Sequence, residues 1–293
     1  MTDGNIELIK RLAIISMFSD DDLMDLLVLK GGNALDIVHN IALRSSKDVD
    51  FSIENEFSQK DEPIIEEKIR KILKETFSTE GFEVFDIKLE ERPLRVSKEM
   101  AKFWGGYQIK FKIIESEKYK ALKEDRDAVR RNATVTGPQN KRIFTIDISK
   151  FEYCKNKEEY DLDGYTIYVY TPQMILFEKI RAICQQMPEY GEIVVNPSQS
   201  ARARDFFDIY TIFENFKIDL KSKESIEILK NIFRSKRVPL SFIRKIENYR
   251  EFHRPDFASV KDTVKTIEEL KDFDFYFEYV VAKLKQLESS GVI

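Results

Sequence analysis

Two short elements in one stretch of the chain carry residue types suited to phosphate and metal chemistry. Gly31 and Gly32 end a short apolar run, and Asp48 and Asp50 follow about seventeen residues later. Adjacent glycines let the backbone approach a ligand closely, and free N–H groups at the start of a following helix favour a bound phosphate. The glycine pair alone fits a plain tight turn equally well, so its role depends on the carboxylates.

The carboxylates point to metal-assisted chemistry. Residues two apart on a strand project from the same face, so the segment DVDF directs Asp48 and Asp50 to one side. Such a pair either lies in open solvent or is held by cations, and Mg²⁺ favours oxygen ligands. Asp147 interrupts an otherwise apolar strand, where an acid needs a partner. If the two strands are neighbours, three carboxylates can hold two Mg²⁺ ions beside a triphosphate at the glycine turn.

The composition excludes several other classes of protein. A net charge of -4 on 293 residues does not indicate a polyanionic partner, so any surface that binds a polyanion must come from local clustering of basic residues. Two distant cysteines and two histidines make a zinc site unfavourable and fit a reducing cytoplasm. The N-terminus lacks the pattern of a secretion signal, and no apolar run reaches the length of a membrane span. We therefore expect a cytoplasmic protein without membrane insertion.

The spacing of apolar residues changes along the chain, and with it the predicted secondary structure that positions these residues. Alternating apolar and polar residues predict strands around residues 85–89, 107–113, 142–149 and 165–171, and an amphipathic helix begins near Pro63. From Pro172 onward helical spacing dominates. The pattern predicts an α/β (α+β) fold, with a mixed sheet flanked by helices in residues 1–165. It also predicts a mainly helical second domain in residues 166–293 that completes the cleft.

The motifs resemble those of a known family. Leu29–Leu35 reads LKGGNAL, residues 44–51 read RSSKDVDF, and later segments read KIRA from Lys179 and RARDFFD from Arg202. This arrangement is similar to the AbiEii/AbiGii toxins, which have the nucleotidyltransferase fold of polymerase-β-like enzymes. Asn33 stands where the family usually has threonine, and an extra serine precedes Asp48.

The resemblance implies roles for named residues. It implies metal binding by Asp48, Asp50 and Asp147, with Lys179 as a further catalytic residue. The implied nucleotide-binding residues are Lys30, Gly31, Gly32, Arg44, Ser45, Ser46, Lys179 and Asp205. Mg²⁺, as two ions, is the implied cofactor and an NTP the implied substrate.

The residues of the two later motifs, from Lys179 and from Arg202, also have simpler interpretations. Lys179 falls inside the apolar stripe of its helix, where a lysine either extends its ammonium to solvent or reaches a phosphate. Asp205 lies in the first turn of a helix, where the helix dipole alone favours a carboxylate. Arg204 and Asp208 are spaced for a surface ion pair.

Two basic stretches, residues 120–142 and 234–255, are candidates for contact with RNA. In the second, aromatic residues interleave with Arg244, Lys245 and Arg250, a pattern that suits a phosphate backbone with unpaired bases. A solvated helix face has the same appearance.

The expected function is transfer of a nucleoside monophosphate from an NTP to a hydroxyl. The resemblance implies the 3′ end of tRNA as acceptor and a toxin neutralised by a separate antitoxin protein. A protein or small-molecule hydroxyl is the alternative acceptor. The alternative class is a nucleotide-binding or partner-binding module of the same fold without catalysis.

Overall fold

The computed structural model describes residues 3–41, 48–58, 61–137, 139–195, 199–261, 263–264, 270–288, 291 and 293. The chain divides into two compact units. The first contains Met1–Asn33 and Lys47–Val169, and the second contains Ala34–Ser46 and Tyr170–Ile293. The prediction of two functional domains, 1–165 and 166–293, stays a prediction.

The first unit is built on a seven-stranded mixed sheet with the order β3-β4-β5-β2-β1-β7-β6. Its strands are β1 (Val28–Lys30), β2 (Val49–Ser52), β3 (Phe82–Arg92), β4 (Gly106–Glu115), β5 (Phe144–Ser149), β6 (Glu158–Leu162) and β7 (Tyr165–Val169). Its helices are α1 (Asp3–Phe18), α2 (Asp21–Leu26), α3 (Gly31–Asn33), α4 (Glu62–Thr79), α5 (Ser116–Leu122) and α6 (Arg126–Arg131). Two pairs are parallel, β2 with β5 and β1 with β7, and the others are antiparallel.

One face of this sheet is covered by helices, because the strands alternate in polarity. The apolar side of α4 faces the sheet, where Phe77 meets the Phe111 ring of β4 edge-on at 5.7 Å. On β4, Tyr107, Ile109 and Phe111 are buried, while the residues between them are partly exposed. The alternation therefore leaves the opposite face of β4 polar, and that face continues into the candidate site.

The second unit is mainly helical in its described residues. Its helices are α7 (Pro172–Cys184), α8 (Ala203–Asn215), α9 (Lys223–Ser235), α10 (Arg250–His253), α11 (Phe257–Lys261) and α12 (Phe273–Glu288), and 3₁₀ turns span Leu240–Tyr249 and Arg254–Asp256. Thr171 caps α7 by accepting the backbone N–H of Met174. Phe206 of α8 stacks on Phe277 of α12 with ring centroids 5.1 Å apart. Aromatic packing therefore joins α8 to the last helix.

The mixed α/β class and the helical second half confirm the sequence prediction, but three local features differ from it. The segment after the glycines is α-helical only to Asn33 and continues as a π-helix over Ala34–Val38, although the spacing predicted a helix reaching Ile41 or Ala42. The strand Glu158–Leu162 was not predicted, because its exposed charged residues lack an apolar alternation. Helix α9 was also missed, although it is amphipathic.

No helix in the described parts of the chain is both long and apolar enough to span a membrane.

Candidate active site

A row of polar residues crosses four neighbouring strands on the open face of the sheet. Strand pairing sets Lys30 opposite Asp50, Asp50 beside Asp147, and Asp147 opposite Gln108. Directly paired residues project from the same face, so these four side chains form one line. Two carboxylates therefore lie side by side in its centre, as the sequence predicted if the two strands were neighbours.

Gly31 makes room for one of these carboxylates. It follows β1 with φ of +71°, a backbone conformation that residues with a Cβ rarely adopt. A Cβ at this position would lie 3.1 Å from Oδ2 of Asp50. Gly31 is thus required both by the backbone and by the space beside Asp50, while Gly32 continues the short helix.

Asn33 joins the glycine turn to the start of the carboxylate strand. Its side-chain amide donates a hydrogen bond to the backbone carbonyl of Asp48. The residue is fully buried, and its Oδ1 has no hydrogen-bond partner among the described residues. Asn33 therefore supplies a donor that holds the two segments together.

Among the three acidic residues, Asp48 is the one exposed to solvent. Thr145 of β5 donates its hydroxyl to Oδ1 of Asp48 at 3.2 Å. Thr145 is two residues before Asp147, so the same strand contacts Asp48 and carries the third carboxylate. All three predicted acidic residues are therefore associated with neighbouring positions of β2 and β5.

The surroundings of Asp147 disfavour its charge. Burial raises the pKa of the Asp147 carboxyl above its usual range, and the negative charge of Asp48 raises it further. The Gln108 amide opposes this shift by donating to Oδ1 of Asp147 at 2.8 Å, and Lys141 and Lys30 also lower the pKa. A cation near the pair would favour the ionised form.

Lys30 supplies positive charge at one end of the row. It is buried, and its Nζ lies 3.1 Å from Oγ of Ser149 and 3.8 Å from Oε1 of Glu152. Binding of a nucleotide by Lys30 stays a prediction.

The donor chemistry of this row suits a divalent cation. Asp50 and Asp147 present adjacent carboxylates, the oxygen ligands that Mg²⁺ prefers, and Gly31 leaves open the space beside Asp50. In the described parts of the chain, however, no three or more His, Cys, Asp or Glu side chains are grouped as a metal site. Asp50 and Asp147 are direct neighbours in the sheet, and Asp48 as a third ligand stays a prediction.

Lys179 and Asp205 lie in the second unit, together with an acidic residue that the sequence reasoning assigned to the surface. Lys179 Nζ donates to Oδ1 of Asp205 at 3.1 Å and to Oδ2 of Asp208 at 2.6 Å, and all three residues are buried. Lys179 therefore does not extend to solvent. Asp208 pairs with Lys179 rather than with Arg204, whose guanidinium lies 4.0 Å from Asp256.

His253 has a structural hydrogen bond. It is buried, and its Nδ1 accepts the backbone N–H of Arg202 at 3.0 Å. Burial lowers the pKa of His253 to about 4, so the ring is neutral at physiological pH.

The other predicted site residues fall into two groups. Arg44, Ser45 and Ser46 lie outside the described residues. Of the tentative RNA-binding residues, Lys245 pairs with Glu189 at 2.8 Å, and Arg250 donates to both Asp274 and Glu278 at 3.0 Å. Arg244 donates to the backbone carbonyl of the C-terminal residue Ile293.

The comparison with protein families decides the identity of the chain. The model of the family described as "Nucleotidyl transferase AbiEii toxin, Type IV TA system" matches residues 13–279. The chain belongs to this family. Membership in the AbiEii family assigns the chain to nucleotidyltransferase-type toxins of toxin–antitoxin systems.

Solved structures are similar to this AbiEii member over most of their length. JHP933 from Helicobacter pylori is 14% identical with a TM-score of 0.48, and the match covers 98% of this chain and 95% of that one. A second solved structure, from H. pylori and provisionally described as a nucleotidyltransferase, is 14% identical with a TM-score of 0.46 and coverages of 98% and 99%. A search of curated proteins finds no match.

Sequence reasoning missed Gln108, Thr145 and Asp208 as partners of the predicted residues. The alternation of β4 places Gln108 on its polar face, but only the strand order sets it against Asp147. For Asp208, the available signal was its position three residues after Asp205, on one face of α8.

Proposed function

We propose that this AbiEii member transfers a nucleoside monophosphate from an NTP to a hydroxyl group, with the 3′ end of tRNA as acceptor. The observation that carries the proposal is the adjacent pair Asp50 and Asp147 beside Gly31. A binding module without catalysis gains nothing from two neighbouring acids whose charges repel each other.

The residues around the pair have distinct proposed roles. Asp48, Asp50 and Asp147 would hold Mg²⁺, which when bound neutralises charge on the phosphates of the NTP. Gly31 leaves space beside Asp50, and Asn33 and Gln108 hold the acidic residues in place.

In the proposed reaction the acceptor oxygen forms a bond to the α-phosphorus, and the bond from that phosphorus to pyrophosphate breaks. Asp147 takes the hydroxyl proton on Oδ2, because Oδ1 accepts the Gln108 amide.

We further propose that the product arrests growth unless a separate antitoxin protein is present. The family description supports the toxin role. The residues Lys30, Arg44, Ser45, Ser46, Lys179 and Asp205 remain proposed nucleotide contacts.

Induced expression with sequencing of tRNA 3′ ends tests this proposal. Wild-type protein should arrest growth and extend tRNA ends. Asp50→Asn should lower the rate of nucleotide transfer by at least about a hundredfold and thereby weaken both effects. Unextended tRNA in arrested cells would exclude tRNA and favour a protein or small-molecule hydroxyl. Equal arrest by wild type and Asp50→Asn would favour the non-catalytic binding module.

A further inference from the structure

The open face of the sheet becomes basic immediately beyond the carboxylate row. Five cationic side chains, here called the basic face, extend from β3 and β4 to α6: Lys88, Lys110, Lys112, Arg126 and Arg130. Lys110 and Lys112 follow Gln108 at two-residue spacing, so they project on the same side as Gln108 and Asp147. The basic face is therefore continuous with the candidate active site within one unit.

Strand pairing brings two of these cations together. Lys88 lies directly opposite Lys110 in the β3–β4 ladder, and Lys110 also pairs with Thr145 of β5. Like charges directly opposite each other destabilise a sheet. Glu90 compensates Lys110 in part, at 2.7 Å, and an anion bound at Lys88 would reduce the remaining repulsion.

Two carboxylates, Asp86 and Glu90, are each shared by several cations, and a third, that of Asp127, lies 3.9 Å from Arg130. Asp86 accepts from Arg130 at 2.8 and 3.0 Å and from Lys112 and Arg126 at 3.4 Å. These contacts, above all the hydrogen bonds from Arg130, lower the pKa of Asp86 to about 2. The acid is therefore ionised at neutral pH, and together with Asp127 it balances two of the three positive charges of Lys112, Arg126 and Arg130.

The second carboxylate, Glu90, accepts from Lys110 and Arg92 at 2.7 Å. Lys88 is exposed and has no ion-pair partner among the described residues, and the Arg126 side chain is 78% exposed. Lysine has three N–H donors and arginine five, so donors remain for a further ligand. Positive charge and accessible donors coincide on this face.

Three cations in the basic segment of the second unit are paired with several carboxylates. There, Lys245, Arg250 and Arg254 share the carboxylates of Glu189, Glu251, Asp274 and Glu278. Carboxylates outnumber these cations, so little net attraction for a polyanion remains. Lys245, Arg250 and Arg254 are therefore weaker candidates for contact with a polyanion than the exposed Lys88 and Arg126.

We propose that the basic face binds the phosphate backbone of the acceptor RNA and leads its 3′ end toward Asp147. This inference rests on the proposed nucleotidyl transfer and adds the surface that holds the acceptor. An RNA strand fits because several phosphates can bind cations spaced along two strands and α6 while its terminal hydroxyl reaches the carboxylate row.

Binding of unfractionated bacterial tRNA to the full chain, measured without NTP over a range of salt concentrations, tests the inference. Lys88→Gln/Lys110→Gln/Lys112→Gln should weaken binding by about tenfold or more and reduce the slope of log K against log salt by about three. Lys88→Glu, at an exposed position, should weaken binding severalfold without affecting the fold. Glu90→Gln should strengthen binding severalfold, because it removes a carboxylate that competes for Lys110.

The matched control is Arg244→Gln/Lys245→Gln/Arg250→Gln, which removes three cations from the second unit and should leave tRNA binding nearly unchanged. An equal or larger loss in this control, or unchanged binding in both the triple-lysine variant and Lys88→Glu, would overturn the inference. Displacement of tRNA by polyglutamate at equal charge concentration would also overturn it and indicate an acidic protein partner. A separate assay of label transfer from NTP shows whether the proposed function itself fails.

Discussion

At the scale of single residues, the chemistry depends on how Asp147 is held. Its carboxyl is partly buried, its pKa is raised by that burial, and the Gln108 amide contacts one of its two oxygens. A hydrogen bond to the charged form favours ionisation and fixes the orientation of the group. In the proposed reaction, Gln108 would act as a positioning residue, because its hydrogen bond to Oδ1 leaves Oδ2 for the acceptor hydroxyl.

We predict that Gln108→Leu lowers kcat by about tenfold to a hundredfold and changes KM for NTP little, because the carboxylate loses its fixed orientation while the glycine turn is unchanged. Steady-state kinetics of wild type and variant measure both constants.

Gln108→Glu is the matched comparison, since it preserves side-chain size and replaces the donor by a third adjacent acid. It should lower kcat at least as much as leucine does. A Gln108→Leu enzyme with normal kcat would show that the amide has no role in positioning Asp147.

The acidic residues were predictable from sequence, whereas their supporting partners were not. Asp48, Asp50 and Asp147 were recognisable because an acid in a strand is costly without a partner. Gln108 and Thr145 are ordinary polar residues in alternating strands, and their roles arise from pairing between distant segments. The partners of Lys179 were not predictable from sequence for the same reason, because its buried ion pairs involve acids 26 and 29 residues away.

At the scale of elements, the site depends on the tight connection from β1 into the π-helical turn. Gly31 adopts φ of +71°, and the neighbouring Asn33 anchors the backbone of Asp48. Sequence predicted a strand, a glycine turn and a helix here, while the pairing of β2 with β5 was only a condition of the three-carboxylate hypothesis. It did not predict the π-helical form, because periodicity over so few residues does not distinguish it from an α-helix.

Gly31→Ala should reduce transfer activity by about tenfold or more, because the added Cβ displaces the Asp50 carboxylate by a few tenths of an ångström. It should also reduce the free energy of unfolding by about 1 kcal/mol, since alanine rarely adopts a positive φ. Activity assays and urea unfolding measure the two effects.

Gly81→Ala separates backbone strain from displacement of Asp50. Gly81 has a similar φ of +75°, and a Cβ there meets no atom within 4 Å. The control should lose similar stability and retain full activity. Equal losses of activity in both variants would contradict the assigned role of Gly31.

At the scale of the whole molecule, the described chain combines a sheet-based unit with a mainly helical unit, and the family model spans nearly all of it. The fold class was predictable because the period of apolar residues changes from two to that of a helix near Pro172. The strand order was not predictable from period alone, and neither was the inclusion of Ala34–Ser46 in the second unit.

The central claim is that this AbiEii member transfers a nucleotidyl group, and the position of a radioactive label in the NTP tests it most directly. Each NTP carries the label on either the α- or the γ-phosphorus. It is incubated with Mg²⁺, with total cellular RNA and total cellular protein as possible acceptors, and with either the wild-type enzyme or Asp50→Asn. With one or more NTPs, wild type should place the α-label on an acceptor and release the γ-label as pyrophosphate, while Asp50→Asn does neither. Transfer of the γ-label to an acceptor, or no transfer by wild type from any NTP, would contradict the claim.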